Sequence, residues 1–238
     1  MRNVATLVMG KPRRKEGHPD VLPHCWTAQG AQQFLNVVHT TGAQMATFYH
    51  LALDTGARKA ELCGLLWQDV DVQKGQISIV RQLIKPGAPP HLGPPKNSKP
   101  RTIPLMPRTV RLLRHHKAQQ AQLKLANRAT YQDFELVFAK DWWGLRTHGE
   151  TLGHPLQSNA IGQHAFKRLL LQAGIKAIKF HGLRHTCATL LLQAGVPVHV
   201  VQERLGHKRM EVTLGIYAHV LPAMQQDAAS RLAALLQA

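Results

Sequence analysis

Two short runs keep this chain from being an all-helical protein. GQISIVRQLI (75–84) alternates Ile77, Ile79, Arg81 and Leu83 in the way a strand does, and RTIPL (101–105) reads as a second strand. Between them lies a Pro- and Gly-rich loop, KPGAPPHLGPPKNSKP. The flanking sequence has helical periodicity. Thr27 caps a helix carrying Phe34, Leu35 and Val38, and a second helix over about 43–54 carries Met45, Phe48, Tyr49 and Ala52. DTGARKAELCGLLW (54–67) reads as a glycine turn and a short helix that buries Leu62, Leu65 and Leu66. A basic helix follows at 108–126, then an irregular stretch, 135–156, with a short strand at its start. Further helices are predicted at 158–173, 182–194, 198–205 and 209–220. Beyond Pro222, Met224, Ala228, Leu232 and Leu235 recur at helical spacing. The expected fold class is mainly α with a small inserted antiparallel β-sheet (α+β).

Charge narrows the partner. The 238 residues hold 30 Lys plus Arg against 13 Asp plus Glu, a formal charge of +17. Between Asp71 and Asp133 there is no acid at all, while twelve basic residues run from Lys74 to Arg128. That pattern points to a polyanion, and nucleic acid is the commonest one. Cys25, Cys63 and Cys187 are widely spaced and odd in number, which gives neither a disulfide framework nor a zinc pattern. Cys63 and Cys187 read as small core residues. No stretch has the length of a membrane span, and the N-terminal apolar patch precedes its basic run, the reverse of a signal peptide. A reducing, cytosolic setting is expected.

The segment HGLRHTCAT (181–189) places His181, Arg184 and His185 at i, i+3 and i+4, one face of a helix. Leu183, Cys187, Leu190 and Leu191 form a separate apolar stripe. The chemical candidates are Arg58, Lys96 or Lys99, His181, Arg184, His207 and Tyr217. Two guanidinium forks match the non-bridging oxygens of one phosphate and neutralise the charge of phosphoryl transfer. A tyrosine hydroxyl, with an ordinary pKa near 10, can attack phosphorus once cations or a base activate it. Histidines and a lysine can move the protons. Metal-dependent nucleases need converging carboxylates, but Glu61, Asp69 and Asp71 are the only close acids. His181 and His185 are half a zinc site with no Cys or Glu to complete it. A metal-free covalent mechanism suits these groups better.

TGARKAEL (55–62), HGLRH (181–185), LGH (205–207) and YAHV (217–220) resemble, in order and separation, the signature boxes of the tyrosine recombinases of the phage integrase family. The resemblance spans roughly residues 27–222 and implies that family's catalytic domain. It implies that Arg58 and Arg184 bind the phosphate, that Tyr217 is the nucleophile, and that His181 and His207 assist proton transfer and phosphate contact. Glu61 would brace the site and His185 would support it as a structural hydrogen-bonder. Aligning KNSKPRTIPL on the family's hairpin makes Lys96 the general acid and Lys99 a phosphate contact, the reverse assignment being the alternative. Lys99, Arg101, Arg108, Arg111 and Arg114 are the expected DNA contacts. No metal and no cofactor are implied.

The resemblance also sets the wider expectations. They are cleavage and rejoining through a 3′-phosphotyrosine, with double-stranded DNA attachment sites as substrate and a homotetramer on the DNA. Accessory directionality or bending proteins would assist, and the setting would be the cytoplasm of a bacterial host. The expected organisation is a basic linker at 1–26 leading out of a DNA-binding domain that is missing, a catalytic domain at 27–221, and a tail at 222–238 that docks on a neighbouring protomer or packs on its own chain. On that expectation the chain is a fragment. A second LGH, at 152–154, is followed by proline and has no tyrosine ten positions on, so it reads as an ordinary loop. Trp142 and Trp143 read as a packing plug. Three alternatives stay open: a type IB topoisomerase-like enzyme, a non-catalytic DNA-binding module, and a metal-dependent nuclease.

Overall fold

In a computed structural model, the residues described are 25–95, 99–141, 152–156, 161, 165–206, 230, 232, 233, 235 and 236. The helices expected at 209–220 and over most of the tail lie outside them, as do Trp142 and Trp143.

Helix α1, Ala28–Val38, starts where sequence placed it, with the Thr27 side chain accepting the Gly30 N–H at 3.2 Å. Its inward face is Ala31, Phe34, Leu35 and Val38. Helix α2, Ala43–Thr55, is buried on every side from Ala46 to Thr55, as the central element of a helical core must be. It stops at Gly56, whose φ of +61° suits glycine. A Cβ there would lie 2.4 Å from Leu205 Cδ2, so the site also demands the smallest residue. The short helix α3, Lys59–Cys63, follows. Leu62 and Leu65 are buried as expected, whereas Leu66 is only half-buried.

The alternating run 75–84 is two strands rather than one. Strand β1, Val70–Asp71, β2, Gln76–Ile79, and β5, Arg101–Pro104, form an antiparallel sheet in the order β1-β2-β5, with Ile77 opposite Ile103 and Ile79 opposite Arg101. Strand β3, Gln82–Lys85, pairs instead with β4, His91–Gly93, in a second, two-stranded sheet. Strict alternation would turn Arg81 inward after Ile77 and Ile79. The chain breaks there: Arg81 meets Asp69 at 3.2 Å at the sheet edge, and Gln82 and Leu83 are both buried beyond it. The end of α3 then lies hard against β3, since a Cβ on Gly64 would sit 2.5 Å from Leu83 N.

Helix α4, Pro107–Ala126, is the basic helix and packs along α2. Helices α5, Phe166–Ala173, α6, Gly182–Gln193, and α7, Val198–Leu205, complete the layer. Aromatic rings of Trp26, Phe34, Phe48, Tyr49, Phe166 and Phe180 interlock at the centre, with Phe34 edge-on to Tyr49 at 5.4 Å. Each such pair adds about 0.5–1.5 kcal/mol beyond its buried area. A smaller cluster of Ala188, Leu192, Val201 and Leu205 fastens α7 to α6.

Trp26, assigned by sequence to the linker, belongs to this core. Its backbone N–H donates to Thr186 Oγ1 at 3.0 Å and its indole to the Lys176 carbonyl at 2.8 Å. All three cysteines are buried thiols. The strand expected at the start of 135–156 is reduced to isolated bridges, Leu66 with Leu136 and Ala139 with Pro155. The second LGH is a packing turn: Leu152 is buried, and a Cβ on Gly153 would strike the Gln132 carbonyl.

Candidate active site

The site begins at the end of α2. After Gly56 the chain extends through Arg58, the N-cap of α3, at φ −70° and ψ 149°. Glu61 reaches back so that Oε2 accepts the Arg58 N–H at 2.8 Å, while Oε1 lies 3.2 Å from Arg58 Nη1. The helix start therefore fixes the acid beside the arginine. Glu61 is fully buried and also holds Arg101, with Nη2 at 2.8 Å from Oε2 and Nη1 at 3.4 Å from Oε1. Burial alone would raise the Glu61 pKa. Hydrogen bonds and charge from Arg101, then the Arg58 N–H and charge, outweigh it and hold the carboxyl below its usual range.

Arg101 is the clearest correction to the sequence reading. It was expected among the DNA contacts, but β5 alternates Arg101 and Ile103 inward, and Arg101 is only 8% exposed. Besides Glu61 it serves the Arg204 carbonyl, to which Nε donates at 2.8 Å.

Arg184 projects from α6 into the same centre and is 2% exposed. Nη1 donates to the Gly56 carbonyl at 2.8 Å and Nη2 to the Leu205 carbonyl at 2.7 Å. Both acceptors stand at the C-terminal ends of helices, α2 and α7, where a cation complements the dipole. Each Nη keeps a second hydrogen, and Nε is buried without a hydrogen-bond partner among the described residues. Burial, then the Arg58 charge, lowers the pKa of Arg184, while Glu61 opposes the shift. A guanidinium keeps its proton regardless, so the cost is borne as electrostatic tension. Arg58 and Arg101 thus bind the carboxylate of Glu61, and Arg184 feels the charges of all three without a described bond to the acid. Guanidinium groups gathered in this way suit an anion.

His181 occupies the N-cap position of α6 and keeps an exposed surface, with its ring edge-on to His185 at 4.9 Å between centroids. Packing around the ring, then the charges of His185, Arg184 and Arg58, lower its pKa to about 4. Together they leave His181 a neutral imidazole near pH 7, and a bound phosphate would oppose the charges. His185 is half-buried beneath it. Lys96, His207 and Tyr217 lie outside the described residues. Gly206, the residue before His207, closes α7 at φ +70°.

The other expected DNA contacts divide. Lys99 and Arg111 are exposed. Arg108 is exposed but hydrogen-bonded to His39, and Arg114 donates to the Val72 carbonyl at 2.8 Å. Sequence reasoning missed Asp54 and Arg204. Buried Asp54 accepts the Met106 N–H at 2.8 Å and pairs with Arg204 Nη2 at 2.8 Å, which also reaches the Pro104 carbonyl. Their one signal was position: an acid and an arginine immediately before the TGAR and LGH boxes. No three His, Cys, Asp or Glu side chains among the described residues converge as metal ligands.

Buried arginines around one carboxylate, on helices joined by two small antiparallel sheets, define the class: this is the catalytic-domain fold of the tyrosine recombinases. The chain belongs to the phage integrase family, whose sequence profile matches residues 26–224. It is 30% identical over 204 residues to a tyrosine recombinase XerC-like protein of Caldanaerobacter subterraneus subsp. tengcongensis, covering 80% of this chain and 49% of that protein. Against the ICEBs1 integrase of Bacillus subtilis it is 24% identical over 215 residues, covering 89% and 54%. The chain thus spans about half the length of the curated relatives it matches. Its fold is similar to that of the Tn1549 transposon integrase, solved in complex with transposon right end DNA, at a TM-score of 0.69 and 23% identity over 92% of this chain and 68% of that one. XerA recombinase is similar at a TM-score of 0.65 and 21% identity, covering 88% and 66%.

Proposed function

We propose that this chain is the catalytic part of a site-specific DNA recombinase that integrates or excises a mobile element. The observation that carries the reading is the gathering of Arg58, Arg101 and Arg184 about Glu61, on a recombinase fold. Arg58 and Arg184 hold the non-bridging oxygens of the scissile phosphate. Tyr217 Oη attacks phosphorus and loses its proton, a P–O bond to tyrosine forms, and the P–O5′ bond breaks. Lys96 protonates the departing 5′ oxygen, with His181 and His207 assisting proton transfer and phosphate contact. The 5′ hydroxyl of a partner strand then attacks the phosphotyrosine and restores a phosphodiester. The link conserves the bond energy, so the exchange needs no high-energy cofactor.

Double-stranded DNA attachment sites are the substrate, and Lys99 and Arg111 are surface contacts to its backbone. Four protomers acting on two duplexes, with the leucine-bearing tail docked on a neighbour, complete the proposal. Leu232, Leu235 and Leu236 are exposed, which suits such docking. The lambda integrase, solved as a tetramer bound to a Holliday junction, has a similar fold at a TM-score of 0.55.

Covalent trapping tests the reading. The protein is incubated in EDTA with a duplex carrying the element's own core site, nicked just 3′ of the scissile phosphate, and run on a denaturing gel. A shifted band that Tyr217→Phe abolishes is expected. No band, with this chain or with one that carries further N-terminal sequence, contradicts the proposal. Relaxation of any supercoiled plasmid without the core site would assign the chemistry to a topoisomerase instead.

A further inference from the structure

Arg58 and Arg184 come from distant parts of the chain, α3 and α6, and no hydrogen bond or ion pair described above joins one to the other. One tie between the two sides is Arg184's own, since its Nη1 donates to the Gly56 carbonyl two residues before Arg58. Arg101 supplies a second and touches both sides. Toward Arg58, it binds both oxygens of Glu61, the acid that also holds the Arg58 N–H and guanidinium. Toward Arg184, its Nε takes the Arg204 carbonyl, and the next carbonyl in the chain, that of Leu205, takes Arg184 Nη2.

The fit at this junction is close. A Cβ on Gly206 would fall 2.9 Å from Arg101 Nη1 and 3.1 Å from its Cζ, so the glycine ending α7 makes room for the guanidinium. Arg204, whose carbonyl is used, is itself pinned by Asp54 and the Pro104 carbonyl, which ties this turn to β5 and the end of α2. Arg101 is 8% exposed and all its described contacts are inside the protein, a poor arrangement for touching DNA.

We propose that Arg101 is a positioning residue for phosphoryl transfer, setting the spacing of Arg58 and Arg184 together with the Arg184–Gly56 bond by bridging Glu61 to the last turn of α7. The inference rests on the recombinase reading of the site. Only an arginine reaches both ends at once, because its planar fork serves Glu61 while Nε serves the carbonyl. A lysine keeps the charge beside Glu61 but has no second, fixed donor for the Arg204 carbonyl.

The test measures single-turnover formation of the tyrosine–DNA link at saturating nicked substrate, DNA affinity by titration, and the melting temperature. Wild type, Arg101→Gln and Arg101→Lys are compared. Misplacing a phosphate ligand by about 1 Å costs on the order of a hundredfold in rate. Arg101→Gln is therefore expected to react roughly 10–100-fold more slowly, with DNA affinity within about threefold of wild type. Arg101→Lys is expected to melt near the wild-type temperature and still react about tenfold more slowly.

Full recovery of rate by Arg101→Lys would overturn the proposal, leaving Arg101 as a counter-charge for Glu61. A loss of affinity as large as the loss of rate would overturn it too, restoring a direct DNA contact. Should Arg101→Gln fail to fold, the lysine variant decides alone. A wild-type chain that forms no link at all indicts the recombinase reading, a result distinct from any outcome among the variants.

Discussion

The active site and helix α4 are both rich in positive charge, yet they use it in opposite ways. In the site, half-buried Arg58 and buried Arg101 bind one carboxylate, that of Glu61, with buried Arg184 close enough to feel both charges. Along α4 the cations are spread over the surface, and several are already occupied: Arg108 by His39, Arg114 by the Val72 carbonyl, and Lys124 by Asp133 at 2.6 Å. Lys117 lies over the Trp67 ring at 5.2 Å. The acid-free stretch that dominates the sequence is thus partly a structural device. The charge gathered about Glu61 is scarce, mostly buried and drawn from distant segments. Charge density along a chain measures attraction for a polyanion, whereas convergence in space measures capacity to act on one.

Removing a guanidinium from the site should have the largest effect. Arg184→Ala is expected to slow tyrosine–DNA link formation by roughly 100–1,000-fold at saturating DNA, the range seen when a charge-stabilising donor is lost. A single-turnover assay in which the variant stays within tenfold of wild type would erase the distinction between the two regions.

Next comes the shared acid. Glu61→Gln leaves buried Arg101 and half-buried Arg58 on a neutral amide, and breaking a buried pair costs about 3–5 kcal/mol. A thermal melt should show Tm falling by roughly 10 °C. An unchanged Tm would mean that the arginines do not depend on Glu61.

Acid sharpens the comparison from the α4 side. His50, buried in α2 and bonded to the His39 that holds Arg108, has a pKa lowered from 6.5 to about 4 by burial first, then by His39 and Arg108. Its folded form disfavours the proton that the unfolded chain accepts. Stability is therefore intact above pH 6.5 and falls as pH drops from 6.5 toward 4, by on the order of 3 kcal/mol. Urea melts across that window should flatten in His50→Gln. An equal acid slope in both proteins would assign the loss elsewhere.

The smallest effect belongs to exposed Arg111. Arg111→Ala should change stability by no more than about 0.5 kcal/mol and reduce the slope of log affinity against log salt by about 1. A larger stability loss would make α4 structural at this position as well.

Much of this molecule is legible from residue patterns, for reasons that particular residues make plain. Thr27 caps α1 as its type and place imply, and the spacing of Phe34, Leu35 and Val38 marks that helix because one-sided burial imposes the period. Arg58, Glu61 and Arg184 stand in short, contiguous boxes, and the fold brings the three together. What failed depended on contacts between distant segments. The break after Ile79 follows from Arg81 meeting Asp69, and the sheet that β3 joins is set by β4. Ile103, two residues on, marks the face of Arg101 as the buried one, but no local pattern shows the partner that lets a cation sit there, Glu61, 40 positions earlier. Trp26 looked like linker because its partners, Thr186 and Lys176, lie 160 and 150 residues away.

The central claim is that the buried arginines neutralise a phosphate rather than merely hold helices together, and Arg184 is where the two roles compete, since both its Nη atoms serve backbone carbonyls. The most direct measurement compares link formation by wild type and Arg184→Ala on two nicked substrates. One carries the normal scissile phosphate, and the other a neutral methylphosphonate with one non-bridging oxygen replaced by methyl. If the guanidinium neutralises charge, the deficit of Arg184→Ala should shrink by about tenfold or more on the uncharged substrate. Equal deficits on both would contradict the account and leave Arg184 a structural clamp between α2 and α7.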